Sequence, residues 1–362
     1  MSFNAENFIK IRPFGGIIIF DSILCDGEDK HIDTTNISCF THIHEDHIKG
    51  IEDLLAKPNS IVLTTDLTKE LIGAMKGRGF IKLKKDSFLG LKYDKIKSVD
   101  EYKISFHRAN HILGTGQLLV RGNQGSVLYS SDFMLKGTDT DFKDIDVLIL
   151  DGNHGSPSIP QNLLEPSKAK KELNNIIHKE INVRRRQINL RAHVGTLQKI
   201  MVWCDEMCPK NIPFFANPKD IEIASVYRNH SYDFREIKSD KEHEFTEITQ
   251  FEQPYIHFLR LSAPKELCEI QDPMVTTVHF SDIRYSYDNT EQYVRNSGIN
   301  LKEHATHNEI LDYVEKIKPK MVVVDNSPTR LATSKNAIDL ANAIEKKLKI
   351  PSTFLPKKRP SE

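Results

Sequence analysis

Three histidines and an aspartate stand within six positions in the run THIHEDH, which ends at His47. An apolar run that closes at Phe40 precedes it and predicts a buried strand. Alternate side chains of an extended segment share a face, so His42 and His44 can bind the same ion. The chain then turns and presents Asp46 and His47 at a second position. Imidazole nitrogen and carboxylate oxygen are zinc ligands, and four of them so close together favour a metal site over a histidine-rich polar loop.

The run resembles the HxHxDH signature of the metallo-β-lactamase superfamily. The resemblance implies further ligands at strand ends, and two downstream segments match it. His111 lies in the loop RANHILG, after a strand-like stretch, and Asp132 lies in YSSDF, after a predicted β-hairpin. Asp132 corresponds to the carboxylate that lies between two metals in relatives. Asp21, at the end of the apolar strand that begins at Gly15, corresponds to the first motif, whose acid orients ligands through hydrogen bonds.

Beyond the segment DGNHGSP, which begins at Asp151, helices and strands alternate in the order of an α/β domain. A lactamase-like core interrupted by such an insert resembles the β-CASP branch of the superfamily, whose members are nucleases acting on DNA or RNA. The resemblance implies an α/β (α+β) protein, with an αββα metallo-β-lactamase sandwich at 1–160 and 290–362 and an inserted β-CASP domain at 161–289.

The same resemblance assigns roles to single residues. Asp151 corresponds to the acid before the insert, and His304 to the histidine that completes the second metal's shell. In the insert, a glycine-centred loop leads into a helix whose N-terminus could hold a phosphate, which makes His193, Gly195 and Thr196 candidate nucleic-acid contacts.

The cofactor is expected to be one or two Zn²⁺ ions. Asp46, Asp132 and His304 are the expected catalytic residues. His154 is a candidate for a supporting role near the site, and His307 is expected to face solvent. The predicted ligands are His42, His44 and His111 for the first ion, Asp46, His47 and His304 for the second, and Asp132 between the two ions.

Composition restricts the partners. The 362 residues carry a formal net charge of zero, so any basic surface for nucleic acid must be local. No apolar stretch approaches the length of a membrane helix, and the N-terminus lacks the layout of a signal peptide. Five scattered cysteines suit free thiols in a reducing compartment. These features predict a cytoplasmic protein that binds nucleic acid and no membrane; the oligomeric state is left open.

Several functions fit the sequence. The loop around His111 and the Glu303–His304 pair are most similar to the DNA cross-link-repair and Artemis group, which predicts a zinc-dependent 5′ DNA exonuclease in DNA repair. Val324–Ser327 lacks the histidine that RNA-cutting relatives place after the final strand, which also favours DNA over RNA. The alternatives are an RNA-processing exo- or endonuclease, a catalytically silent nucleic-acid-binding scaffold, and a thioester or lactam hydrolase.

Overall fold

The structure is a computed structural model, and the chain divides into two compact units. The first unit comprises Met1–Ile159 and His304–Glu362, and the second comprises Pro160–Glu303. None of the helices within the described ranges is long and apolar enough to cross a membrane. The residues described are 8–12, 15–28, 36–77, 79–80, 86–157, 163–250, 253–262, 275–281, 295–327 and 334–357.

The first unit contains a six-stranded sheet whose strands are neighbours in chain order. The second strand runs antiparallel to the first and to the third, and the third to the sixth strands are parallel. Its strands are β1 (Ile9–Ile11), β2 (Ile17–Ile19), β3 (Ile23–Cys25), β4 (Ile37–Phe40), β5 (Ile61–Thr65) and β6 (Phe88–Leu91).

The first unit also contains a seven-stranded sheet, whose strands lie in the order β19-β18-β11-β10-β9-β8-β7. The strands from β7 to β10 are antiparallel, and β10, β11, β18 and β19 are parallel. Its strands are β7 (Lys97–Val99), β8 (Tyr102–Arg108), β9 (Gly116–Gly122), β10 (Gly125–Tyr129), β11 (Val147–Leu150), β18 (Met321–Asp325) and β19 (Ser352–Leu355).

The two sheets pack face to face over one apolar core. Cys39 and Leu63 from the first sheet and Phe106 and Val127 from the second belong to the same buried cluster. Removing these side chains from water is the main favourable term for such a sandwich. The alternation of strand side chains sends Leu128 to the opposite face of the second sheet, into a separate core under helices.

Helices cover the outer faces of the sandwich, which confirms the predicted mixed α/β architecture. Helix α2 (Asp66–Lys76) contacts β5 and β6 of the first sheet. Helices α7 (His307–Ile317) and α8 (Ser334–Leu348) lie in the apolar core on the outer face of the second sheet. A short helix, α1 (Ile51–Ala56), follows the histidine-rich run.

The second unit contains a six-stranded, wholly parallel sheet in the order β14-β13-β15-β12-β16-β17. Its helices are α3 (Pro166–Ile177), which continues into a π-helical turn at His178–Val183, α4 (Thr196–Met207), α5 (Pro218–Asn229) and α6 (His243–Gln250). Its strands are β12 (Gln187–Ala192), β13 (Phe214–Ala216), β14 (Lys238–Ser239), β15 (Ile256–Arg260), β16 (Val275–Ser281) and β17 (Arg295–Asn300).

The second unit extends beyond the end expected from the sequence. The insert was expected to close at residue 289, whereas the compact unit continues to Glu303. The reason is β17, which pairs with β16 along six residues, from Thr276 with Arg295 to Ser281 with Asn300. A strand hydrogen-bonded to this sheet belongs with it.

Candidate metal centre

The histidine-rich run begins where β4 ends, and a buried carboxylate holds it in place. Oδ1 of Asp26 accepts a hydrogen bond from the Thr41 backbone N–H at 2.8 Å, and Oδ2 accepts one from the Thr41 hydroxyl at 2.6 Å. The same Oδ2 lies 2.7 Å from Nδ1 of His47, which donates because a carboxylate can only accept. Asp26 therefore ties the first and last residues of the run together.

Three imidazole nitrogens of the run and of the RANHILG loop converge on one point. Nε2 of His42 lies 3.0 Å from Nδ1 of His44, and Nε2 of His111 lies 3.2 Å from that same Nδ1. Asp132 closes the group, with Oδ2 at 3.7 Å from His42 Nε2 and 3.8 Å from His111 Nε2. The four ligand atoms all lie within 4.8 Å of one another.

The spacing of these donors fits a tetrahedral zinc ion. Zinc–nitrogen bonds of ~2.0–2.1 Å place neighbouring ligand atoms about 3.3 Å apart in a tetrahedron. The observed separations of 3.0 to 3.8 Å bracket that value. Burial, reinforced by the neighbouring imidazoles of His47 and His44, lowers the pKa of His42 well below its ordinary value. His42 therefore keeps the neutral ring that a metal ligand needs.

Asp132 lies between this group and a second one. It follows β10, after Ser131 in a left-handed backbone conformation (φ 57°). Burial alone would raise the pKa of Asp132, but the imidazoles of His47 and His304 hold it well below the usual range. The side chain is therefore an ionised carboxylate, with Oδ2 also 3.3 Å from His47 Nε2.

The second converging group consists of Asp132, Asp151 and His304. Nδ1 of His304 lies 2.9 Å from Oδ2 of Asp151, and its ring lies 5.0 Å from that of His111 between centroids. Of the other residues predicted to bind the second ion, His47 lies beside this group, with Nε2 3.3 Å from Asp132 Oδ2. Asp46 lies at the edge, with its side chain 44% exposed and Oδ2 3.5 Å from His47 Nε2.

Both segments that carry His111 and His304 are fixed by the surrounding fold. The carbonyl of Gly114 accepts hydrogen bonds from the hydroxyls of Thr65 and Thr68, at the start of α2. A Cβ at Gly114 would lie 2.7 Å from the Thr68 hydroxyl, so only glycine fits there. On the other side, Thr306 and Glu309 form a capping box that starts α7 directly after His304.

The expectation for Asp21 is wrong. Its side chain is 66% exposed and forms an ion pair with Lys10 at 2.6 Å. Asp26, which was not among the residues predicted from the sequence, holds the ligand run instead. The signal for Asp26 was an acid directly after the short apolar strand β3 (Ile23–Cys25). His307 also differs from expectation: it is buried, with Nδ1 2.7 Å from the carbonyl oxygen of Gly155.

The candidate nucleic-acid contacts lie in the second unit, in the loop between β12 and α4. His193 is exposed, and Gly195 caps the helix with φ 90°. The backbone N–H of Gly195 donates to the side-chain oxygen of Gln198 at 2.7 Å. The Thr196 hydroxyl is buried and donates to Glu303 within the same unit.

No family model matches the chain. It is similar to the "Uncharacterized protein in lig 3'region" of Acidianus ambivalens, 34% identical over 71 residues that make up 19% of this chain and 51% of that protein. It is also similar to an RNase J-like protein of Methanocaldococcus jannaschii, 30% identical over 96 residues, 25% of this chain and 21% of that protein. The chain thus spans about half the length of one relative and about a fifth of the other.

This second similarity and the converging histidine and aspartate side chains support the metallo-β-lactamase superfamily for this chain.

Proposed function

We propose that this protein is a metal-dependent nuclease that hydrolyses phosphodiester bonds with one or two zinc ions. The observation that carries the proposal is the convergence of His42, His44, His111 and Asp132, whose ligand atoms lie within 4.8 Å of one another. The similarity to an RNase J-like protein adds support for nucleic acid as the substrate class. We also propose that the unit Pro160–Glu303 is a β-CASP insert.

The first ion would be held by the imidazoles of His42, His44 and His111 and by Asp132, and the second by Asp132, Asp151 and His304. Zinc bound in such a site lowers the pKa of water and stabilises negative charge on the phosphoryl oxygens. Asp132, ionised at neutral pH, is the carboxylate common to both groups.

The partly exposed Asp46 is the group best placed to accept a proton from the attacking water. Its carboxylate lies beside His47 at the edge of the site, where water can reach it. General-base residues work within hydrogen-bond reach of the proton that they remove. We assign His304 to the second ion or to the scissile phosphate, and Asp46 to proton transfer.

DNA is the proposed substrate, with a 5′ exonuclease in DNA repair as the proposed role. The family resemblance implies that RNA-cutting members have a histidine after the strand that corresponds to β18, where this chain has Val324–Ser327. There Asp325 is buried and accepts from the Ser327 backbone N–H at 2.8 Å, and Asn326 donates to the carbonyl of Pro356. The side chains of Asp325 and Asn326 are thus engaged in hydrogen bonds with the protein backbone. RNA is the second candidate, and the RNase J-like similarity favours it.

In the second unit, we propose that the loop of His193, Gly195 and Thr196 contacts the nucleic-acid backbone. Helix α4 begins at Thr196 and runs for 12 residues, so its N-terminus carries the partial positive charge that attracts phosphate. The exposed His193 ring stands before this terminus.

The test is to incubate the zinc-loaded protein with 5′-phosphorylated single-stranded DNA and RNA of matched sequence and to resolve the products by length. A ladder that grows from one end on DNA alone is expected. Cleavage of RNA alone would replace DNA by RNA as substrate. No cleavage of either, by protein that has bound zinc, would favour the silent scaffold and overturn the proposal.

A further inference from the structure

The ring of His304 is enclosed by two other imidazoles. His154 stacks on it with centroids 5.6 Å apart and planes inclined by 17°, and His111 lies 5.0 Å away at 52°. His154 is only 7% exposed. The buried ring of His154 thus packs against the ring of His304.

His304 lies at a boundary between the two units along the chain. It is the first residue of the first unit after the second unit ends at Glu303. Within the first unit, the backbone N–H of Ala305 donates to the carbonyl of Phe133 at 2.6 Å, and Asp151 holds Nδ1 of the ring. The stacked ring of His154 adds a contact with the face of the imidazole, which these hydrogen bonds do not provide.

His154 belongs to a loop, residues 151–156, that is itself tightly built. Oδ1 of Asp151 accepts from the Asn153 backbone N–H at 2.8 Å, and the Gly155 N–H donates to the Gly152 carbonyl at 3.0 Å. These bonds form a compact turn of the kind that aspartate side chains stabilise. The turn places Asp151 and His154, three residues apart, around the same imidazole.

Helix α8 fixes this loop from outside the site. The Asn336 side chain donates to the Asn153 carbonyl at 2.9 Å, and the Ser156 hydroxyl donates to Asp339 at 2.6 Å. A Cβ on Gly155 would lie 2.7 Å from the carbonyl oxygen of Asn336, so the close approach requires glycine. His307, at the start of α7, donates to the Gly155 carbonyl.

We propose that His154 is a positioning residue that holds the His304 ring in the orientation in which it serves the Asp132–Asp151–His304 group. The proposal rests on the proposed function for its effect on catalysis, but its effect on metal binding can be measured without any substrate. The role belongs to the ring face, because the near-parallel stack is the contact through which His154 meets His304.

The experiment compares His154→Ala and His154→Phe in the full chain. Phenylalanine keeps a flat ring but removes both nitrogens. Metal-free protein is titrated with Zn²⁺ against a chromophoric chelator. The affinity that is lost in His304→Ala is assigned to the ion at the Asp132–Asp151–His304 group. His243→Ala, at a histidine whose side chain is 85% exposed in the second unit, is the matched control.

We expect His154→Ala to lower the affinity for the ion at the Asp132–Asp151–His304 group about 10- to 100-fold, as removal of a supporting partner does at other metal sites. The affinity for the ion at His42, His44 and His111 should not change. His154→Phe is expected to bind both ions with near wild-type affinity. On a cleavable substrate, His154→Ala should lower kcat more than it changes KM.

Three results would overturn the proposal. Wild-type affinities for both ions in His154→Ala would remove the positioning role. A loss in His154→Phe equal to that in His154→Ala would show that the nitrogens matter and the ring face does not. Binding of a single ion by the wild type would also contradict it.

If His154→Ala does not fold, Asn336→Ala decides instead. It removes the hydrogen bond from the Asn336 side chain to the Asn153 carbonyl and should weaken binding of the same ion. Unchanged affinity for that ion would contradict the proposal. Wild-type protein that binds both ions but cleaves no nucleic acid would defeat the proposed function, while the affinity comparison would still test His154.

Discussion

Asp26 Oδ2 and His47 Nδ1 lie 2.7 Å apart in the buried interior, at the junction of two parallel strands of the first sheet. The contact joins the residue after β3 to the last histidine of the ligand run, 21 positions later in the chain. It sets the orientation of the His47 ring, whose other nitrogen lies 3.3 Å from Asp132.

We expect Asp26→Asn to lower zinc affinity about 10- to 100-fold, because the amide would present a donor to groups that now donate to Asp26. The measurement is chelator competition on the purified protein. Asp21→Asn is the matched control, since that side chain is mostly exposed and pairs only with Lys10 among the contacts described. Equal losses in the two variants would contradict the role given to Asp26.

His111→Ala and Asp46→Ala should both abolish cleavage while the protein still folds. His111→Ala removes one of the donors of the first group and should also reduce bound zinc. Asp46 lies at the exposed edge, so its substitution should affect turnover more than zinc content. Circular dichroism and metal analysis separate these effects. Full activity of either variant in a preparation of known zinc content would count against the mechanism.

Tyr313→Phe tests a buried hydrogen bond behind the His111 loop. The Tyr313 hydroxyl donates to Oε1 of Gln117, and Nε2 of Gln117 donates to the carbonyls of Arg108 and Asp139, each at 2.9 Å. Loss of the hydroxyl leaves a buried acceptor unsatisfied, which should lower the free energy of unfolding by about 1–3 kcal/mol. Urea unfolding measures this change, and Tyr232→Phe, at a half-buried position, is the control.

The second unit should lose stability in mild acid because of His279. Burial, with the nearby charge of Arg191, lowers the pKa of His279 from 6.5 to about 4. The imidazole is neutral in both states above pH 6.5. As the pH falls from 6.5 towards 4, the unfolded chain takes up a proton that the folded chain does not, so stability is lost.

His279→Gln removes this uptake from the unfolded state. The variant should therefore lose less stability than the wild type between pH 7 and pH 4.5, about the window that the shift defines. Thermal melts at both pH values measure the difference. Parallel losses in the two proteins would rule out His279 as a source of the pH dependence.

The ligand segments could be predicted from the sequence because each is a short local pattern. THIHEDH, RANHILG and YSSDF each follow a strand with buried side chains, and the structure brings His42, His44, His111 and Asp132 together. The position of a candidate ligand at a strand end depends mainly on residues close to it in sequence, so a short local motif is enough to predict it. The participation of Asp151 in the second group was harder to predict, since it depends on which side chains meet in space.

One segment of the second unit shows how a tertiary contact supports a helix. Residues 238–250 are mostly charged and polar, and they contain β14 and helix α6. Their charged composition concealed one apolar contact: Phe245 packs against Phe215 and Tyr255. Burial of that ring favours the helix. One partner, Phe215, lies on β13, and the other, Tyr255, lies just before β15.

The sequence by itself determined the types of the candidate ligand residues and their attachment to strand ends. Only the tertiary structure decided which acid supports them. β2 runs antiparallel to β3, so Asp21, after β2, lies at the opposite edge of the sheet from the ligands. β3 runs parallel to β4, with Cys25 beside Cys39, so Asp26 emerges next to Thr41 and the histidines. Strand direction is set by pairing between distant segments, and the composition of a single strand does not encode it.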